Sequence, residues 1–190
     1  MRYCFSSQPL YKLHIPIGKN LHIGLYGGSF NPPHEGHIRV AKTALKRLKL
    51  DKVIWLVSPQ NPLKSDKAGS CKARMALIRG LTSHPKFHIT DIEDIFNFKY
   101  SYQTVRALKK RYRNVTFSFI IGSDNLLTLP RWKNWHFLRD SCDFYVVARP
   151  HTGFNVRFLK AFTTPSRCKI FFINHPMSSS SSTALRLQIK

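Results

Sequence analysis

The sequence predicts an α/β fold, a doubly wound parallel sheet with helices on both faces. Three observations predict it. Six short apolar runs without alternation read as strands buried on both sides. Segments with helical spacing separate those runs. A glycine-rich junction joins the first strand to the first helix. Strand alternating with helix gives parallel neighbours linked by right-handed crossovers.

The strands are expected at Leu21–Tyr26, Val53–Val57, Phe87–Ile89, Phe117–Ile121, Phe144–Ala148 and Ile170–Ile173. Turn residues bound each of them. The first helix is expected over Ile38–Leu50, where Val40, Ala44, Leu45 and Leu48 recur at helical spacing. Further helices are expected over Lys72–Leu81, Tyr102–Tyr112 and Asn125–Leu138. Ligands in such sheets bind beyond the carboxyl ends of the strands. The turns after Tyr26 and after Ile121 both lie on that edge.

A chain of 190 residues supports one full core. Residues 21–190 read as a single domain and residues 1–20 as an N-terminal extension. That extension holds Pro9, Pro16 and scattered charge, and lacks the apolar centre of a secretory signal. No internal repeat is present, and Ser178–Ser182 is the one low-complexity tract. No apolar run approaches the ~20 residues that span a bilayer, so no membrane partner is expected. Cys4, Cys71, Cys142 and Cys168 form no Cys-x-x-Cys pair. That spacing argues against metal or disulfide use and for a reducing cytoplasm.

Lysine and arginine number 31 against nine acids, a formal charge of +22. The basic residues are spread along the chain, which is a weak pattern for a dedicated nucleic-acid arm. The field would still draw polyphosphates, and would bind nucleic acid loosely at low salt. Small polyanionic substrates are the expected partners, and specific nucleic-acid binding is not.

The densest signal is Gly27-Gly28-Ser29-Phe30-Asn31-Pro32-Pro33-His34-Glu35-Gly36-His37. It lies between the first strand and the first helix. A helix start offers unpaired N–H groups and partial positive charge to a phosphate. Two glycines would let the backbone approach a ligand closely. His34 and His37, three apart, share one face of a helical turn. Imidazoles at an anion site can stabilise charge that develops there.

This string resembles the signature of the His-x-Gly-His nucleotidyltransferases, whose fold is Rossmann-like. Within that superfamily it is most similar to the bacterial nicotinate-nucleotide adenylyltransferases. The resemblance runs from Leu21 to Arg186. It implies transfer of the adenylyl group of ATP to nicotinate mononucleotide, giving nicotinic acid adenine dinucleotide and pyrophosphate. It also implies Mg²⁺ carried mainly by the ATP phosphates. Gly27, Gly28, Ser29, Phe30 and His37 would lie on ATP, and Asn31 on the mononucleotide. His34 and His37 would be catalytic.

Five further strings carry the resemblance. Lys64 sits in the Pro-rich loop Ser58–Lys64 after the second strand and would contact phosphate, as a catalytic and substrate-binding residue. Ser101-Tyr102-Gln103 corresponds to a Ser-Tyr-Thr string whose backbone amides face the nicotinate carboxylate; Gln103 departs from it. Ser101 is the expected N-cap of that helix. Gly122-Ser123-Asp124 matches a Gly-x-Asp string, with Gly122 and Asp124 beside the ATP ribose. A carboxylate after a strand accepts ribose hydroxyls well, and this is favoured over the alternative, that Asp124 simply caps its helix.

Trp132 would stack on the pyridine ring, a use suited to the indole face. Lys133 stands where relatives often have an aromatic residue, and could attract the carboxylate and favour acid over amide. Trp135 is expected in the core. Ser181-Ser182-Thr183 followed by Arg186 resembles a Ser-Ser-Thr-x-x-Arg string that grips ATP phosphates, and Arg186 would also be catalytic.

Other readings remain open on the sequence. A sister enzyme could use nicotinamide mononucleotide or phosphopantetheine. A fragment of an aminoacyl-tRNA synthetase would share the His-x-Gly-His string, but no Lys-Met-Ser-Lys-Ser string is present. A basic RNA-binding module is the alternative outside the enzymes. The sequence leaves a homo-oligomer open.

Overall fold

The computed structural model describes residues 15–59, 69–147 and 169–173. Among these the strands are β1 (His22–Gly28), β2 (Lys52–Val57), β3 (Phe87–Thr90), β4 (Thr116–Gly122), β5 (Asp143–Val147) and β6 (Ile170–Ile173). The helices are α1 (Glu35–Arg47), α2 (Cys71–Leu81), α3 (Ile92–Ile95), α4 (Ser101–Arg111), α5 (Ser123–Thr128) and α6 (Trp135–Ser141). The strands form one six-stranded sheet in the order β3-β2-β1-β4-β5-β6. Every pairing is parallel. The expected fold class is borne out.

Two cores flank the sheet because successive side chains on a strand point to opposite faces. Leu25, Ile54, Leu56, Phe119 and Ile121 face α3, α4 and α6. Tyr26, Val53, Trp55, Val57 and Ile120 face α1 and α2 through Ile38, Ala41, Ala44, Met75 and Ile78. Strand order reverses between β1 and β4, so the crevice beyond their carboxyl ends is the ligand edge of this topology.

Four local expectations change. The first helix starts at Glu35, three residues before Ile38, because His34 caps it. The expected helix Asn125–Leu138 is divided into α5, a 3₁₀ turn at Leu129–Arg131, and α6. Pro130 lacks the N–H that a continuous helix needs, and Asn134 is left-handed at φ 52°. The junction glycines extend β1 instead of forming the turn, and the left-handed residue there is Phe30, at φ 46°. The glycines serve space: a Cβ on Gly28 would meet the Phe30 ring at 3.0 Å. Tyr100, not Ser101, is the N-cap of α4.

Residues 1–14 lie outside the described residues. Ile15 is buried in the α4-side core. Its N–H donates to Tyr112 Oη at 3.1 Å, and its carbonyl accepts the Tyr112 hydroxyl at 3.0 Å.

Candidate functional site

The carboxyl ends of β1 and β2 meet α3, α4, α5 and the 3₁₀ turn around a solvent-open cavity. Gly27, Gly28 and Ser29 form one wall, and Ser58 and Pro59 continue it after β2. Trp132, Lys133 and Arg131 face them from the turn before α6, while Lys99, Tyr100 and Ser101 close the start of α4. Of the expected site residues, the structure therefore brings Gly27, Gly28, Ser29, Trp132 and Lys133 to one cavity. It adds Asn125, Phe119 and Glu93, which local sequence did not single out.

Trp132 is held before any ligand arrives. Its Nε1–H donates to Thr128 Oγ1 at 3.3 Å, and its ring meets Phe119 edge to face at 6.3 Å. Those contacts leave the half-buried indole in the cavity wall. Lys133 beside it is exposed. Trp135 packs against the core as expected.

The histidine pair stands at the start of α1. His34 is the N-cap, and its Nδ1 accepts the Gly36 N–H at 3.1 Å. His37 Nδ1 accepts the His34 N–H at 3.2 Å. Each Nδ1 is thus an acceptor, which places the proton of a neutral ring on Nε2. The ring centroids lie 3.8 Å apart. His37 is buried and packs edge-on to Phe30 at 5.2 Å. Phe30 in turn meets Tyr26 and Trp55. Phe30 is therefore a buried support for His37, and its side chain belongs to the core. Asn31 follows on the same turn, in a cis peptide to Pro32.

Gly122 ends β4 and is the N-cap residue of α5, so the cap position that Asp124 could have filled is taken. Asp124 lies in the first turn of α5, where a carboxylate suits the helix dipole. Both stand at the carboxyl end of the strand next to β1.

At α4 the structure separates residues that lie together in sequence. Tyr102 is buried in the core, whereas its neighbours Tyr100 and Ser101 line the cavity. Gln103 Oε1 accepts the N–H groups of Lys99 and Tyr100 at 2.9 and 3.0 Å. That oxygen organises the helix start, so the departure from threonine has a structural role.

Glu93 is the buried acid of the cavity. Its Oε1 accepts the Thr104 hydroxyl at 2.8 Å, which ties α3 to α4. Burial pushes its carboxyl up to about 7, with the Thr104 hydrogen bond acting in the opposite direction. Lys99, Arg131 and Lys133 surround the same space and make it positive.

Lys64, Ser181, Ser182, Thr183 and Arg186 lie outside the described residues. Among the described residues no three His, Cys, Asp or Glu side chains are grouped to hold a metal ion. No helix among them is long and apolar enough to cross a membrane.

Comparison with known proteins shows the family and the fold. A family model described as cytidylyltransferase-like matches residues 25–188. A probable nicotinate-nucleotide adenylyltransferase of Ruegeria sp. (strain TM1040) is 39% identical over 180 residues, covering 86% of this chain and 95% of that protein. Its counterpart in Caulobacter sp. (strain K31) is 42% identical over 160 residues, covering 84% and 82%. The Plasmodium falciparum nicotinic acid mononucleotide adenylyltransferase solved with NaAD shares the fold. It superposes with a TM-score of 0.75 at 22% identity, over 88% of this chain and 83% of that one.

Proposed function

Because this chain belongs to the cytidylyltransferase-like family, and within it to the nicotinate-nucleotide adenylyltransferases, we propose that it joins ATP to nicotinate mononucleotide. The products are nicotinic acid adenine dinucleotide and pyrophosphate. The observation that carries this reading at the site is the cavity itself. A glycine strand end, an indole face and three cations converge at the switch point of a parallel sheet.

The chemistry follows from those parts. The mononucleotide phosphate attacks the α-phosphorus of ATP in line; a P–O bond forms there as the bond to pyrophosphate breaks. That phosphate is already ionised at neutral pH, so no general base is needed. Catalysis is positioning and charge stabilisation. His34 and His37, with Nε2–H as donors, stabilise phosphate oxygens as charge shifts to the leaving group. Trp132 provides the face for the pyridine ring, and Lys133 attracts its carboxylate. Gly122 and Asp124 take the ATP ribose.

Lys64 and Arg186 offset phosphate charge, and Ser181, Ser182 and Thr183 grip the ATP phosphates, as the resemblance implies. ATP is used as its Mg²⁺ complex. The cation keeps most of its waters and needs few protein ligands, which fits a chain with nine acids.

Pyrophosphate release with ATP and Mg²⁺ tests the proposal. It should be measured side by side with nicotinate mononucleotide, nicotinamide mononucleotide and phosphopantetheine. Release far faster with the nicotinate compound supports this reading. Release with phosphopantetheine alone overturns the acceptor but keeps the reaction class. Absence of release with any acceptor overturns the enzyme.

A further inference from the structure

Arg74 lies in the first turn of α2 and is 2% exposed. A buried guanidinium is costly unless its donors are met. Here they are met almost wholly by main-chain carbonyls. Nε donates to Gly69 O at 2.8 Å, Nη1 to Ser29 O, and Nη2 to Pro59 O at 3.4 Å. Nη2 also lies 3.2 Å from Cys71 Sγ. Among the described residues none of the hydrogen bonds from its guanidinium goes to a carboxylate; Asp91 and Asp94 act only through space, on neighbouring Cys71.

The three carbonyls belong to three stretches of chain: the turn after β1, the turn after β2, and the approach to α2. Ser29 and Pro59 both line the cavity. A carbonyl oxygen turned into that cavity would repel a phosphate. Drawn back onto Arg74, it does not. In a trans peptide the N–H points opposite to the C=O, so the Phe30 N–H is directed away from α2. The planar fork also fixes the spacing of the two loops, which a lysine ammonium cannot do.

We propose that Arg74 is a positioning residue for the phosphorylated acceptor. It holds the β1 and β2 turns together as one wall and clears their carbonyl oxygens from the space where an anion docks. This rests on the adenylyl-transfer reading for the identity of the acceptor, nicotinate mononucleotide. Ser29 is expected on ATP, but Pro59 belongs to the loop expected on the acceptor and lines the same cavity as Trp132, so the acceptor should sense the loss of the joined wall more than ATP does.

The test uses the full chain with Arg74→Lys and Arg74→Met. Steady-state KM for each substrate, kcat and thermal melting are measured, with acceptor binding read by calorimetry. For Arg74→Lys the expected result is a KM for nicotinate mononucleotide raised about tenfold, which corresponds to ~1.4 kcal/mol. KM for ATP should stay within about threefold, with melting lowered by a few degrees. Arg74→Met should bind the acceptor more weakly still. Equal rises in both KM values, or a Lys variant that melts lower with unchanged acceptor binding, would assign Arg74 to folding alone and overturn the proposal. If Arg74→Met does not fold, the Lys variant decides. Wild-type protein that binds no nicotinate mononucleotide would instead mark failure of the adenylyl-transfer reading.

Discussion

His37 accepts the backbone N–H of His34 through its Nδ1 at 3.2 Å, and the two imidazole centroids stand 3.8 Å apart. One residue caps the helix and the other locks the cap. The same bonds leave Nε2 as the proton-bearing nitrogen of each neutral ring. Local folding and the proposed chemistry therefore share two side chains, and variants must separate them.

His37→Ala should lower kcat by two to three orders of magnitude, the scale of losing one preorganised donor. His34→Asn keeps a good cap residue, so its melting temperature should stay within a few degrees of wild type while kcat falls. Pyrophosphate release and calorimetry on the same samples check both. A near-normal rate for His37→Ala would remove the histidines from the mechanism.

Gly28→Ala would place a methyl 3.0–3.3 Å from the Phe30 ring. Phe30 supports His37 edge-on, so the push should reach the histidine. About 1–3 kcal/mol of destabilisation is expected from such overpacking. The rate should fall further than the stability change accounts for, by about tenfold in kcat/KM at a temperature where the variant is folded. Denaturant titration alongside kinetics measures the two effects.

Glu93 gives a signed pH prediction. Its carboxyl is raised from 4.5 to about 7 by burial. The folded state thus holds the proton more tightly than the unfolded chain. Below pH 4.5 both states are protonated and Glu93 carries no penalty. As pH rises from 4.5 through 7 the fold loses roughly 3 kcal/mol through this group. Glu93→Gln keeps an acceptor for Thr104 and removes the titration. It should melt higher than wild type at pH 8 and flatten the difference between pH 5 and pH 8. Melting curves across that range decide it.

Lys133→Met should reduce discrimination between nicotinate and nicotinamide mononucleotide by about tenfold, through a higher KM for the acid. Trp132→Ala should raise KM for both, because a ring face does not distinguish the two substituents. Unchanged discrimination in Lys133→Met would take that lysine out of specificity.

Much of this molecule was legible in the sequence because the relevant forces are short in range. Apolar runs marked all six strands; the central ones are covered on both faces and admit no alternation, whereas the edge strand β6 leaves Phe171 and Phe172 exposed. The glycine-histidine string marked the ligand edge. Errors arose where one residue overrode a pattern. Apolar spacing over Asn125–Leu138 reads as one helix, yet Pro130 and Asn134 interrupt it. The helix α3 is only four residues long, too short to show a period.

The sequence by itself determined the fold class, the strand positions and the sheet edge where the cavity opens, because hydrophobic period and glycine placement act on neighbouring residues. Only the tertiary structure decided which side chains share the cavity. Tyr102 went to the core and Tyr100 to the wall because one turn of α4 has an inner and an outer face. Glu93 became a buried acid only when Thr104 of another helix closed over it. Arg74 found Ser29 across 45 positions of chain. No local pattern encodes such contacts, since they form only when the sheet brings distant segments together and burial makes an unmet donor costly.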